Sequence, residues 1–200
     1  MTIINENIRI DRGELMAKNE ALLIIDYTND FVSDKGALTC GRAGQFLADP
    51  IVTLADKIHK SNGWVILPTD LHKKDDPYHP ETKLFPAHNL KNSWGRQLYG
   101  KVASWYQENK DDQKVYMYDK TRYSAFTGTD LDIRLRERNI DTLHLAGVCT
   151  DICVLHTAVD AYDLNYRIVI HEQTVATLTQ SGQNWALNHF ENVLGAKVID

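Results

Sequence analysis

Apolar residues in this chain fall into two patterns, short unbroken runs and longer stretches spaced three or four apart, and the two alternate along its length. The first run, Ala21-Leu22-Leu23-Ile24-Ile25, ends on Asp26. Five apolar residues without polar alternation read as a strand covered on both faces, as central strands of parallel sheets are. Ile51, Leu54, Ala55 and Ile58 then recur at helical spacing, with Asp49 as expected N-cap, Pro50 as first helical residue and Gly63 as the stop. The alternation repeats. A strand at Trp64–Leu67, a helix near Arg96–Tyr106 and a strand at Val115–Tyr118 lead to a helix opened by Thr129-Asp130-Leu131-Asp132, where Thr with an acid three residues on resembles a capping box. A strand at Thr142–Ala146, a helix from about Asp151 to Leu164, a strand at Arg167–Ile170, a helix near Gln183–Leu194 and a last strand at Ala196–Ile199 complete the series. Six strands separated by helices predict an α/β fold with a doubly wound parallel sheet.

Two stretches escape the alternation. Residues 1–20 are polar and weakly patterned, and are expected to form an arm outside a single domain spanning 21–200, since neither a repeat nor a Pro- or Gly/Ser-rich linker divides the remainder. The segment from Asp70 to Trp94 has neither helical nor strand period, and so long a loop inside a compact domain is usually functional.

Composition narrows the function classes. With 43% apolar and 24% charged residues the chain is globular, and at 22 basic against 27 acidic residues with no Lys/Arg block it lacks a nucleic-acid binder's footprint. The longest apolar run, five residues, is far short of the roughly 20 of a membrane helix or the 7–15 of a signal peptide, so a cytoplasmic protein with a small-molecule partner and no membrane partner is expected. Three unevenly spread cysteines, Cys40, Cys149 and Cys153, fit no disulfide framework.

In an open parallel sheet the ligand lies beyond the carboxyl ends of the strands, so the residues that end each strand are the candidates. They are Asp26, then Asp70 and His72, then Asp119 and Lys120, then Gly147 to Cys153. Singly, each has an ordinary reading: a turn cap, a solvated lysine, a small core cysteine. Cys153 has the most specific case, because a thiol in the first turn of a helix, capped by Thr150 or Asp151 and near a lysine, is expected to be stabilised as thiolate, and free N–H groups of that turn suit an oxyanion. Cys149 reads as a packing residue rather than a resolving thiol, since C-x3-C is not the redox spacing, and Cys40 has no evident partner. In the long loop, His72, His79 and His88 stand among Asp70, Asp75, Asp76 and Glu81. His and carboxylate ligands without thiolates suit zinc, manganese or iron with open positions, the alternative being a solvated acidic loop. Phe31, Phe85 and Tyr123 flank both clusters, where they either pack the core or sandwich a flat ring. His59, His144, His156, His171 and His189 lie within expected helices or strands and read as structural.

The motifs Ile25-Asp26-Tyr27-Thr28-Asn29-Asp30-Phe31, Thr69-Asp70-Leu71-His72, Phe85-Pro86-Ala87-His88, Asp119-Lys120 and Gly147-Val148-Cys149-Thr150-Asp151-Ile152-Cys153 resemble, in order, those of the isochorismatase-like cysteine hydrolases. The metal-loop motifs resemble the nicotinamidase branch, and Lys83-Leu84-Phe85-Pro86 and Thr129–Glu137 its streptococcal type. The resemblance, from about Ala21 to Asp200, implies a three-layer α/β/α fold, often oligomeric, that deamidates nicotinamide to nicotinate and ammonia in NAD salvage and also cleaves pyrazinamide. It implies a catalytic triad of Asp26, Lys120 and Cys153, oxyanion-binding N–H groups at Cys149 and Cys153, a cis bond at Val148–Cys149, and a ring held by Phe31, Phe85 and Tyr123. Its metal ligands map onto Asp70, His72, Glu81 and His88, with His79 as the alternative third ligand and zinc ahead of manganese or iron. The rival readings are another hydrolase of the superfamily, such as an isochorismatase, and a non-enzymatic metal-binding module.

Overall fold

The first apolar run forms strand β1 (Glu20–Ile25), every residue of which from Ala21 on is buried. It is apolar on both sides because two cores meet there. Leu22 and Ile24 pack with Ile51, Leu54, Ala55 and Ile58 of α3 (Ala48–Lys60) and Val102 and Trp105 of α4 (Gly100–Asn109). Ala21, Leu23 and Ile25 pack with Leu131 and Leu135 of α5 (Leu131–Glu137), Ala158 and Ala161 of α6 (Leu155–Asp163), and Ala186 and Phe190 of α7 (Gln180–Asn192). The computed structural model, which describes residues 19–200, is thus a three-layer α/β/α sandwich around one six-stranded sheet.

The strands β1, β2 (Trp64–Asp70), β3 (Val115–Lys120), β4 (Thr142–Val148), β5 (Arg167–Ala176) and β6 (Lys197–Ile199) are parallel, in the order β3-β2-β1-β4-β5-β6. The chain builds outward from β1 on one side, then returns to β4 and builds outward on the other. The crevice beyond the carboxyl ends of β1 and β4 is the switch point where such sheets bind ligands. Gly147 is needed at that edge: it has φ 110°, and a Cβ would run into the Ile25 carbonyl of the neighbouring strand.

Several local expectations are corrected. Glu20, assigned to the arm, opens β1, and the Asn19 carbonyl accepts the N–H groups of Asp141 and Thr142, while the arm's residues 1–18 lie outside the described residues. Helix α3 begins at Ala48 after N-cap Leu47, so Asp49 is not the cap and Pro50 is not its first residue. Pro50 is still tolerated, since the first-turn N–H groups have no intrahelical acceptor. Thr129 is not the N-cap of α5, which is Asp130; its hydroxyl donates to the Ala125 carbonyl (2.7 Å) and accepts the N–H of Leu131, the helix's first residue (3.3 Å). Two short helices escaped the pattern, α1 (Asn29–Val32) and α2 (Gly41–Gln45), and the long loop contains a 3-10 turn at Pro80–Lys83. Among the described residues no helix is long and apolar enough to cross a membrane.

Candidate active site

Asp26 follows β1 with φ 54°, a left-handed conformation rare for a residue with a side chain and common at functional sites. Two bonds hold it: its N–H donates to the Pro68 carbonyl (3.1 Å), and its Oδ1 accepts the N–H of Asp70 (2.7 Å). Lys120 ends β3 in register with Asp70 of β2. Its side chain is fully buried, with Nζ 2.8 Å from Asp26 Oδ2 and 3.8 Å from Cys153 Sγ, and donates to the Arg122 carbonyl (2.9 Å). Cys153 lies in a single π turn, Thr150–Val154, joining β4 to α6. The three side chains that the sequence placed at separate strand ends therefore meet at one point.

Burial dominates their electrostatics. It raises the Asp26 carboxyl to about 6 against the pull of Lys120. It works against the Lys120 ammonium, yet the Asp26 carboxylate, then the Cys153 sulfur, outweigh it and hold that amine above its ordinary value. It pushes the Cys153 thiol well up, with Lys120 pulling the other way and Asp26 adding to the rise. The pull of Lys120 toward the thiolate is present as expected, but dehydration outweighs it, and Asp26 stands beside the sulfur as a carboxylate able to take its proton.

The turn carrying Cys153 is not capped by Thr150 or Asp151, as expected, but preceded by Cys149 as N-cap. The Thr150 hydroxyl donates to Gln183 of α7 (2.7 Å), and the Asp151 carboxylate accepts the Thr177 hydroxyl, so both side chains tie the turn to α7 and to the residue that follows β5. The first i→i−5 bond runs from the Val154 N–H to the Cys149 carbonyl (3.2 Å), so the Cys153 N–H precedes the ladder. The Val148–Cys149 peptide is cis.

Asp70, His72, Glu81 and His88 converge in a second buried cluster. His72 Nε2 lies 2.7 Å from Asp70 Oδ2 and 4.0 Å from Glu81 Oε2, and His88 Nε2 lies 3.5 Å from both of those oxygens. Despite this closeness, both Nε2 atoms are buried without a hydrogen bond. Two carboxylates and two imidazole nitrogens gathered in this way fit a divalent cation. His88 Nδ1 lies 2.8 Å from the Pro86 carbonyl and donates to it, which leaves the Nε2 lone pair turned to the cluster. His79 is also within reach of His72 and Glu81. Its nitrogens are engaged elsewhere, Nε2 with the Thr121 carbonyl (2.8 Å) and Nδ1 as acceptor of the Glu81 N–H (3.3 Å). Asp75 and Asp76, counted with the loop's acids, are exposed or half-buried and outside the cluster.

A cavity of about 40 Å³ touches Cys153, Cys149, Phe31, Phe85, Tyr123, Glu81 and His88. A second, of about 110 Å³, reaches His72 and shares Glu81, Phe85 and His88 with it, so the space beside the thiol runs to the His/carboxylate cluster. The three expected aromatic residues all line the first cavity. Ile152, from the expected Gly147–Cys153 stretch, lines it too, and sequence reasoning missed Leu38 and Leu178, which join it, and Asn89, fully buried, whose Nδ2 donates to Asp70 Oδ2 (3.3 Å). The Asn89 N–H is held by the Asp30 carboxylate (2.7 Å), and only the presence of Asp30 in the first motif hinted at such a role.

Residues 20–200 match the isochorismatase domain family. An uncharacterized isochorismatase family protein of Bacillus subtilis, PncA, is 54% identical over 181 residues, 90% of this chain and 99% of the relative. The crystal structure of a pyrazinamidase/nicotinamidase from Streptococcus mutans aligns with a TM-score of 0.88 at 51% identity, covering 90% of this chain and 99% of that one. A nicotinamidase from Staphylococcus aureus aligns at 0.80 and 42%, covering 92% and 99%.

Proposed function

Because the chain belongs to the isochorismatase family, and solved structures near half identity are of nicotinamidases, we propose that it hydrolyses nicotinamide to nicotinate and ammonia through a thioester on Cys153. The observation that carries this reading is the meeting of Asp26, Lys120 and Cys153 beside an aromatic-lined cavity that leads to the His/carboxylate cluster. Asp26 takes the Sγ proton as the sulfur attacks the carboxamide carbon. Lys120, between the two, holds the negative charge as it moves from carboxylate to sulfur. The oxyanion is received by the N–H groups of Cys149 and Cys153. Asp26 returns the proton to the departing ammonia, then draws one from the water that cleaves the thioester and hands it to the departing Cys153 sulfur.

Phe31, Phe85 and Tyr123 bracket the ring and exclude water. Asp70, His72, Glu81 and His88 would hold a divalent cation, zinc before manganese or iron, which supplies an electrophilic anchor for the pyridine nitrogen and so orients the carboxamide. Pyrazinamide carries the same ring nitrogen and carboxamide and is a second substrate; the activity serves NAD salvage in the cytoplasm. The test is ammonia release from nicotinamide and pyrazinamide, with isochorismate cleavage measured alongside. Wild type is expected to turn over both amides and Cys153→Ala neither. Cleavage of isochorismate alone, or a variant within about tenfold of wild type, would overturn the reading.

A further inference from the structure

Cys40, for which the sequence offered no partner, has one. Its Sγ lies 3.4 Å from that of Cys149, a contact between residues 109 apart in the chain. Cys40 is half-buried at the start of α2, where its N–H donates to the carbonyl of Phe31 (2.8 Å). Cys149 is buried between β4 and the turn that carries Cys153. Both ends of the contact thus adjoin the active-site cavity, which Phe31 lines on one side and Cys149 itself on the other. Cys153 is placed differently, its sulfur facing Lys120.

We propose that Cys40 and Cys149 are a reversible oxidation site, joined as a disulfide by hydrogen peroxide, and that the bond slows turnover. The Cys40 sulfur, the less buried, attacks the peroxide: an S–O bond forms, the O–O bond breaks, and the hydroxide released takes the Cys40 proton as water. The Cys149 sulfur then attacks the sulfenic acid: the S–S bond forms, the S–O bond breaks, and the Cys149 proton leaves with the hydroxyl as a second water. Two thiols are oxidised and one peroxide is reduced. The contact supports this order, because the hydrogen bond to Cys40, then burial, hold the Cys149 proton in place. A disulfide of about 2.05 Å requires the sulfurs to close by about 1.3 Å from their 3.4 Å separation. Cys149 carries one of the proposed oxyanion N–H groups, and displacement of about 1 Å at a reacting centre costs on the order of a hundredfold in rate. The effect on turnover rests on the function proposed above; the bond itself does not.

The experiment treats wild type and Cys40→Ser with hydrogen peroxide, alkylates the remaining thiols, maps the peptides, and measures ammonia release before treatment, after it, and after dithiothreitol. Wild type is expected to give a Cys40–Cys149 linked peptide, leave Cys153 open to alkylation, lose at least about tenfold in kcat and recover with dithiothreitol, while Cys40→Ser keeps its rate at the same dose. A disulfide containing Cys153, no linked peptide, or equal inactivation of Cys40→Ser would overturn the site. A linked peptide with unchanged kcat would overturn its effect on turnover. A linked peptide in a protein inert toward nicotinamide from the outset supports the site and counts against the function instead.

Discussion

Replacing Lys120 by methionine removes one charge of a pair whose members are both shut off from water, leaving the Asp26 carboxylate without its counter-ion. At the observed 2.8 Å, and with an effective dielectric of about 20, the attraction is about 6 kcal/mol, most of which offsets the cost of dehydrating the two ions. Removing one partner loses the attraction but keeps the other's dehydration, so Lys120→Met and Asp26→Asn are each expected to destabilise the fold by about 3–5 kcal/mol. The double variant loses both charges, and its asparagine can still accept the Asp70 N–H, so it is expected to cost well under the sum of the singles. Equilibrium urea unfolding of the four proteins at pH 7 measures the cycle, with a chelator present so that metal affinity does not enter. Costs that add to within about 0.5 kcal/mol would refute the coupling.

Glu81→Ala is expected to lower bound metal and raise KM for nicotinamide, whereas His79→Ala, whose ring nitrogens are engaged elsewhere, keeps metal near stoichiometric; the reverse pattern in metal analysis would move the third ligand to His79. Asn89→Ala, removing the donor to Asp70, should weaken metal binding by about 10–100-fold in competition with a chromogenic chelator, and an unchanged affinity would remove Asn89 from the site. His171, pushed down to about 4 by burial and then by His144 and Lys57, stays neutral when folded but takes a proton on unfolding below its ordinary 6.5. Its contribution is therefore fully present above pH 6.5 and lost as pH falls toward 4, and His171→Gln should flatten that slope in urea unfolding. An unchanged slope would contradict it.

Elements with a strong local pattern were legible in the sequence. The run Ala21–Ile25 announced a strand buried on both faces, and Asp26, Lys120 and Cys153 could be placed because strand ends in a parallel sheet share an edge. Features made by distant contacts left no such trace. Cys40 and Cys149 meet across 109 residues, and Asn89 reaches Asp70 from a loop without period. Helices α1 and α2, four and five residues long, are too short for a periodicity to show. β5 runs past Ile170 to Ala176 because a register shift beside Leu145/Gly147 lets Val175 and Ala176 pair with Gly147 and Val148, although Glu172-Gln173 looks like a break. The upward push on the Cys153 thiol was hidden for a related reason: helix terminus and lysine were visible in the sequence, but the burial around the sulfur was not.

The nucleophilic role of Cys153 is tested most directly by acid-quenching the enzyme during turnover of nicotinamide and mapping acyl adducts by mass spectrometry. The expected result is a nicotinoyl thioester on the Cys153 peptide, absent from Cys153→Ala and lost when substrate is exhausted. Turnover in the Cys153→Ala variant at the wild-type rate, with no acyl adduct on any cysteine of the wild-type enzyme, would contradict it.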